Sequence, residues 1–246
     1  MNKEIINKYC RKFGFEIHGT GYMQSIHKGI FKENAFTKQK DILEGNVSCI
    51  FDIGANRGDT VRHYRSLFPN AAIYAFEPFP GTFDIMVNNI KGLNKIYPFQ
   101  KAMGEKNGKS VMYVNNSEDT NSLLPSHITG LSSDKQVANK GQIEVEVCTI
   151  DQFCTDNKIS QIDILKLDIQ GSELAAMKGC EKMLAEKKIK LIYTETFFVQ
   201  QYLGNPLFHD ICGFLHQHDY HIQDLYDPYY GKGSIAWCDT IFLPGA

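Results

Sequence analysis

The sequence predicts an α/β fold in which a mostly parallel, doubly wound sheet is covered by helices on both faces. Three observations carry this expectation. From residue 47 onward, short apolar runs alternate with helix-length amphipathic segments, the pattern of successive β-α units joined by right-handed crossovers. The first run, Ile50-Phe51-Asp52-Ile53, enters a loop containing Gly54 and Gly58, where the backbone can turn tightly and approach a ligand without side-chain obstruction. The chain closes with two strand-like segments joined by a Tyr/Gly-rich turn, which sets an antiparallel edge on the parallel sheet.

The elements follow in chain order. Residues 1–46 read as a helical, basic appendage: Ile5, Ile6, Tyr9 and Phe13 recur at helical spacing, and Phe36 to Leu43 suggests a second short helix ending at Gly45. This segment is expected either to act as a lid or to pack on the sheet edge, with the main domain over 47–246. Val47–Asp52 is the first strand, and Asp59–Phe68 the first helix, ended by Pro69. Ala72–Phe76 is the second strand, closing on Glu77-Pro78 before a helix across 80–90, and Ile96–Ala102 is the third. Val111–Val114 and Ile143–Val147 are strands, the latter alternating Ile143, Val145 and Val147 with Glu144 and Glu146. The polar stretch between them, an insertion over about 115–142, is expected to face a substrate, since loops of that length are usually functional. Thr149-Ile150-Asp151-Gln152 has the form of a capping box at a helix start. Ile162–Asp168 and Ile189–Glu195 are further strands, Ser172–Ala185 and Leu207–Gln217 helices, and Tyr220–Leu225 with Ile235–Leu243 the closing strands.

Composition bounds the class. The 246 residues are 43% hydrophobic and 22% charged, enough apolar material for one packed α/β domain with additions. A net charge of -2 supplies no basic field, so nucleic acid is not an expected partner. The seven cysteines are odd in number and never spaced C-x-x-C, which favours free thiols over a disulfide framework or a zinc site. The N-terminal residues lack a signal-like apolar stretch, and no run approaches the roughly 18 apolar residues of a membrane span. The expected location is cytoplasmic.

Several residues could carry chemistry. Asp52 ends the first strand, and carboxyl ends of parallel strands line the ligand crevice of an open α/β sheet; it would hold a cofactor or merely cap the turn. Glu77 lies 25 residues beyond Asp52 and 19 beyond Gly58, where an acidic side chain can accept both ribose hydroxyls of a nucleoside. Pro78 after it fixes the backbone, and Phe79 is placed to pack on a base. Lys166 sits inside an apolar strand, an expensive position unless paired, and period two sets it on one face with Asp168. Asp168 should emerge at the crevice, with Gly171 opening a turn and Glu173 in the first turn of the next helix. Glu195 ends the following strand and would bind a substrate hydroxyl or act as a base, or be a plain strand-terminal carboxylate. His127, in the insertion, is a candidate base by position. His216, His218 and His221 have no i, i+4 pair and no firm fourth ligand, so a solvated cluster is favoured over a metal site. Tyr226, Tyr229, Tyr230 and Phe197-Phe198 could stack on a sugar face or serve as ordinary core and turn residues.

Asp52-x-Gly54-x-x-x-Gly58 resembles the first motif of class I methyltransferases, which hold S-adenosylmethionine. Together with Phe51–Thr60, Ala75-Phe76-Glu77-Pro78 and Leu165–Glu173, the chain looks like the FkbM-type branch of those enzymes over about residues 48–243. Asn121-Ser122-Leu123, Thr149-Ile150-Asp151 and Asp239-Thr240-Ile241-Phe242 also fit, and Lys-x-Asp-x-x-Gly-x-Glu is the most specific part. The resemblance implies a Rossmann-like seven-stranded sheet whose last strand is antiparallel. It implies O-methylation of a sugar or natural-product hydroxyl. It places the cofactor against Asp52, Gly54, Ala55, Asn56, Gly58, Asp59, Thr60, Glu77, Pro78, Phe79, Ala102, Ser122 and Asp168. Many members have a glutamate where this chain has Gln170, leaving one fewer carboxylate at the crevice.

The expected function is thus S-adenosylmethionine-dependent O-methylation of a glycan or small hydroxylated metabolite. Asp168 is the first candidate for a base or acceptor-orienting group, then Glu195 and His127. A divalent cation on the crevice carboxylates stays open, as does oligomeric state. A nicotinamide-dependent oxidoreductase is the rival enzyme reading, weakened by the missing third glycine of G-x-G-x-x-G, and a non-catalytic nucleoside-binding module is the other.

Overall fold

The elements of the computed structural model, which describes residues 34–127, 138–231 and 233–245, run from helix α1 (Ala35–Ile42) to strand β1 (Cys49–Ile53), α2 (Asp59–Leu67), β2 (Ala72–Phe76) and α3 (Pro80–Asn89). Strands β3 (Ile96–Phe99), β4 (Ala102–Met103), β5 (Gly108–Asn115) and β6 (Asn139–Cys148) follow, then α4 (Ile150–Asp156), β7 (Ile164–Leu167), α5 (Glu173–Lys178) and α6 (Glu181–Ala185). The chain ends with β8 (Ile192–Phe197), α7 (Phe208–Gln217), β9 (Tyr220–Gly231) and β10 (Ser234–Pro244). The expected helix around Ile5–Phe13 lies outside the described residues.

Every residue of β1 and β7 is buried, as an apolar run without polar alternation requires in a sheet covered on both faces. They sit centrally in a seven-stranded sheet of order β3-β2-β1-β7-β8-β10-β9. The first five of these strands pair in parallel, and β10 is antiparallel to both β8 and β9. The two closing strands thus form the antiparallel edge that the sequence predicts, with the last strand, β10, inside β9. Its burial explains the choice: β10 buries Cys238, Thr240, Ile241 and Phe242, whereas β9 is mostly exposed, so the more apolar strand takes the inner position.

Two expectations are corrected. The single strand over Ile96–Ala102 divides, because β2 gives way to Glu77-Pro78, and proline has no N–H to extend the ladder. After Phe99 the chain turns away, and Ala102–Met103 pairs with Val147–Cys148 in a second sheet of order β4-β6-β5. The helix over Ser172–Ala185 breaks at Gly179. A Cβ there would lie 2.1 Å from the Gly104 carbonyl oxygen, so two main chains cross where a continuous side-chain-bearing helix would collide. The ladder between β5 and β6 runs from Gly108–Val147 to Asn115–Asn139, so the insertion is shorter than its polar sequence suggested; residues 128–137 lie outside the described set.

Period two divides the main sheet into unlike faces. Phe51, Ile53, Leu165, Leu167 and Ile192 join the large core that includes α4 to α7. Phe153 of α4 is the keystone of that side, standing edge-on to Phe76 and Phe99 at 4.9 and 4.8 Å between ring centres. The alternate residues Asp52 and Lys166 face the side of α2, where Tyr64 is fully buried and donates to Gln39 Oε1 at 2.9 Å.

The amino ends of β1 and β7 are joined by Asp163. Its Oδ2 accepts from Ser48 N, Ser48 Oγ and Cys49 N at 2.7, 2.8 and 2.9 Å, and Lys190 Nζ lies 2.7 Å from Oδ1. Burial pushes this carboxyl up, but Lys190 and the Ser48 and Cys49 donors outweigh it and hold the group below its usual value. A depressed carboxyl contributes stability above its unfolded value near 3.9 and loses it as pH falls through the lower folded value. Asp163→Ala should therefore cost about 2–3 kcal/mol in urea unfolding at pH 7, with the difference shrinking below about pH 4. A difference under about 0.5 kcal/mol at pH 7 would show that the clasp is not structural.

Candidate active site

The loop after β1 is pressed between the ends of two neighbouring strands. Gly54 has φ 78°, and its N–H and that of Ala55 both donate to Phe76 O at 3.0 and 2.9 Å. A Cβ on Gly54 would stand 1.9 Å from Asp168 O, so only glycine fits against the end of β7. Gly58 (φ 84°) caps α2, where a Cβ would meet Ile90 Cγ2 at 3.0 Å. Glu77 locks the loop from the other side: Oε2 accepts from Asn56 N at 3.0 Å and Oε1 from Phe79 N at 2.9 Å. Burial pushes its carboxyl up to about 7, against those two N–H donors. Each carboxylate oxygen retains capacity for one more donor.

Below the loop lies a buried ion pair. Asp52 is 0% exposed and Lys166 5%; Lys166 Nζ stands 3.1 Å from Asp52 Oδ1 and donates to Gly54 O at 3.0 Å. Asp168 Oδ2 lies 3.6 Å from the same nitrogen. Burial favours the neutral amine, but Asp52 and Asp168 outweigh it and raise Lys166, while burial raises Asp52 against the pull of Lys166. The Lys166–Asp168 proximity read from the strand period is present, with Asp52 as the nearer partner.

At the carboxyl end of the sheet, Asp168 and Glu195 face a common space. Gln170 Nε2 lies 3.0 Å from Asp168 Oδ1 and 3.3 Å from Glu195 Oε2. Burial raises the Glu195 carboxyl well above its ordinary value, and Asp168, Glu173 and Asp239 add to this. Glu173, fully buried, accepts from Ile169 N and Gly171 N at 3.0 and 3.2 Å and so holds the turn.

A cavity of about 230 Å³ opens between these strand ends and the second sheet. Of the residues singled out in the sequence, it brings together Gly54, Asn56, Glu77, Pro78, Ala102, Asp168 and Glu195. Asp52, Ala55, Gly58, Asp59, Thr60, Phe79, Ser122 and His127 are not on its wall. Asp52 supports it from beneath, and Asp59 pairs with Arg62 on the surface. Ser122 is occupied in latching the insertion, its Oγ donating to Gln170 O at 2.6 Å. His127 is tied by its backbone N–H to Gln201 O at 2.8 Å. Gln170, expected at the crevice, is on the wall, as are Asn121 and Leu123 of the matching Asn-Ser-Leu segment, together with Met103 and Met112, which the sequence did not single out. Asn121 is informative: its Oδ1 accepts from Asn115 N at 2.8 Å, while Nδ2 is buried without a partner. The signal for it was present in Asn-Ser-Leu, but only the β5–β6 ladder brings it above the loop of β1.

Among the described residues there is no grouping of three His, Cys, Asp or Glu able to hold a metal ion, and no helix long and apolar enough to cross a membrane. Lys166→Met strands the Asp52 charge and should destabilise the fold by about 3–5 kcal/mol in urea unfolding, whereas Asp52→Leu combined with Lys166→Met should recover most of that loss. Additive single effects would show that the two groups do not act as a pair.

The strand order and the single antiparallel strand are those of a class I methyltransferase sheet. The 2-O-methyltransferase NoeI of Sinorhizobium fredii is 28% identical over 169 residues, spanning 66% of this chain and 69% of that protein. The hexuronic acid methyltransferase AglP of Haloferax volcanii is 24% identical over 136 residues, 55% of this chain and 51% of that protein. Among solved structures, M. capricolum TrmK in complex with S-adenosyl-homocysteine overlaps 85% of this chain and 68% of its own, at 12% identity and a TM-score of 0.48. The family profile of the methyltransferase FkbM domain matches residues 52–222, and the chain belongs to that family.

Proposed function

We propose that this protein is an S-adenosylmethionine-dependent O-methyltransferase whose acceptor is a sugar hydroxyl on a glycan or small metabolite. The observation that carries the reading is one cavity wall-to-wall between Glu77 with the Gly54 loop and the Asp168–Glu195 carboxylates. The relatives that methylate a 2-hydroxyl or a hexuronic acid support the sugar acceptor.

The residues fit the cofactor on three structural counts. The Gly54 cradle excludes any side chain, Glu77 is anchored yet able to accept further donors, and Asn121 carries a buried N–H without a partner. Glu77 would accept the ribose hydroxyls, Asn121 would donate to the nucleoside, and Ala102, Met103, Met112 and Leu123 would enclose the purine. When bound, the sulfonium supplies an electrophilic methyl group. The protein then has to align an acceptor oxygen, exclude water and accept a proton. Asp168, with its side chain 45% exposed at the cavity, is placed to accept it, with Glu195 orienting the hydroxyl. His127 is not on the cavity wall and takes no part in this reading.

S-adenosylhomocysteine should raise the melting temperature of the protein and NAD should not. Methyl label from S-adenosylmethionine should then appear in sugar-containing acceptors. Stabilisation by NAD alone would instead favour the oxidoreductase reading. Binding of S-adenosylhomocysteine with no transfer across a glycan and metabolite screen would leave a binding module.

Glu77 sets a pH dependence on that binding. Burial pushes its carboxyl up to about 7, and the ionised form is the better acceptor for ribose hydroxyls. Affinity for S-adenosylhomocysteine should therefore fall roughly tenfold from pH 8 to pH 6, and Glu77→Gln should bind weakly with a flat profile. Calorimetric titration checks this, and a flat wild-type profile would remove Glu77 from the ribose site.

A further inference from the structure

Gln170 lies where three segments meet, and each fixes it. Its backbone adopts φ 56°, uncommon for a residue with a side chain, and its carbonyl receives the Ser122 hydroxyl. Tyr202 Oη donates to Oε1 at 2.7 Å. The hydroxyl has one proton, and its shorter contact, to Oε1 rather than to Thr120 O at 3.2 Å, turns the amide N–H groups toward the cavity. Nε2 then lies 3.0 Å from Asp168 Oδ1 and 3.3 Å from Glu195 Oε2.

We infer that Gln170 is a positioning residue that ties Asp168 and Glu195 into one coupled acid pair facing the acceptor. This rests on the methyl-transfer reading above. The surroundings of the two groups differ. Asp168 is half-exposed, 3.6 Å from the Lys166 ammonium. The charges of Asp168 after β7, Glu173 on α5 and Asp239 on β10 act against an ionised Glu195, and Lys166 acts for it. Two close acids surrounded in this way do not both ionise readily. In the transfer step the acceptor oxygen forms its bond to the methyl carbon, the methyl–sulfur bond breaks with its electron pair going to sulfur, and the hydroxyl proton passes to the Asp168 carboxylate. Glu195, still protonated, can donate to a second acceptor oxygen and so fix the sugar's orientation.

A glutamate at position 170 would set a third carboxylate between these two. The test is a carboxyl-carbon NMR titration of protein labelled at glutamate, with Glu195→Gln identifying the Glu195 signal. Wild type should show Glu195 titrating above the usual carboxylate range. Gln170→Glu should move that midpoint up by about one pH unit or more, and Tyr202→Phe, which frees the amide to turn, should move it less in the same direction. The alkaline limb of the methyl-transfer rate, where Glu195 loses its proton, should follow, while affinity for S-adenosylhomocysteine stays within about twofold. A Glu195 midpoint in the ordinary range, or one unmoved in both variants, overturns the inference. Because the titration needs neither cofactor nor acceptor, its failure is distinct from that of the functional reading, which falls if wild type binds no S-adenosylhomocysteine.

Discussion

One ammonium group holds the active end of this sheet in place. Lys166 reaches from β7 to its register partner Asp52 on β1, and the same nitrogen binds the Gly54 carbonyl that opens the ligand loop. Three pieces of chain that must agree in position are thus tied to a single atom. Such a pair is a poor source of net stability, since desolvating two charges offsets most of their attraction. Its value is positional. Gly54 comes so close to Asp168 O that a methyl group would not fit, and that contact persists only if β1 and β7 keep their register.

From this anchor the acidity of the site follows. Asp52 pairs with Lys166 across β1 and β7, Lys166 with Tyr193 across β7 and β8, and Glu195, two residues beyond Tyr193, with Asp239 across β8 and β10, so the four charged residues share one face, as a polar stripe near the carboxyl ends of the parallel strands. One lysine serves several carboxylates, so the charges there are under-compensated, and burial drives Asp52 and Glu195 up and Asp239 to about 6. Tyr193 donates to Asp239 and Gln170 donates to Asp168 and Glu195. Neutral donors satisfy these oxygens without adding charge, which leaves protons rather than counter-ions to balance the stripe.

The parts of this arrangement legible in the sequence are those fixed by strand periodicity. Asp52, Glu77, Asp168 and Glu195 all end or follow buried parallel strands, and a parallel sheet sends every such residue to the same crevice. The Lys166–Asp168 relation follows from period two, but Asp52 as the nearer partner depends on register between strands 112 residues apart at the Lys166–Gly54 contact, which no local pattern encodes. The division of Ile96–Ala102 was hidden because both halves are apolar; the turn is forced by where β2 stops. Asn121 and Leu123 stand out in the sequence as a matching segment, but their place over the cavity, like that of Met112, depends on the β5–β6 ladder, which no local pattern encodes. Ser122 shows the converse: a hydroxyl in a matching motif is spent on latching the insertion to Gln170 rather than on lining the cavity.

That latch links the two sheets. The first sheet supplies the loop of Gly54, Glu77 and the Asp168–Glu195 pair. The second supplies Met112, Asn121 and Leu123, and it meets the first through short, specific bonds: Ser122 to Gln170 and Asn56 to Asp119 at 2.9 Å. Each of those bonds ends on the insertion turn around Glu118–Thr120 or on Asn-Ser-Leu after it. The turn is therefore held relative to the carboxylates, while the strands behind it are exposed along most of their outer length. Substitutions in the exposed part of the ladder change the mouth of the cavity without shifting the turn. Ser122 and Tyr202 bear on Gln170, and Asn56 ties the Gly54 loop to the turn.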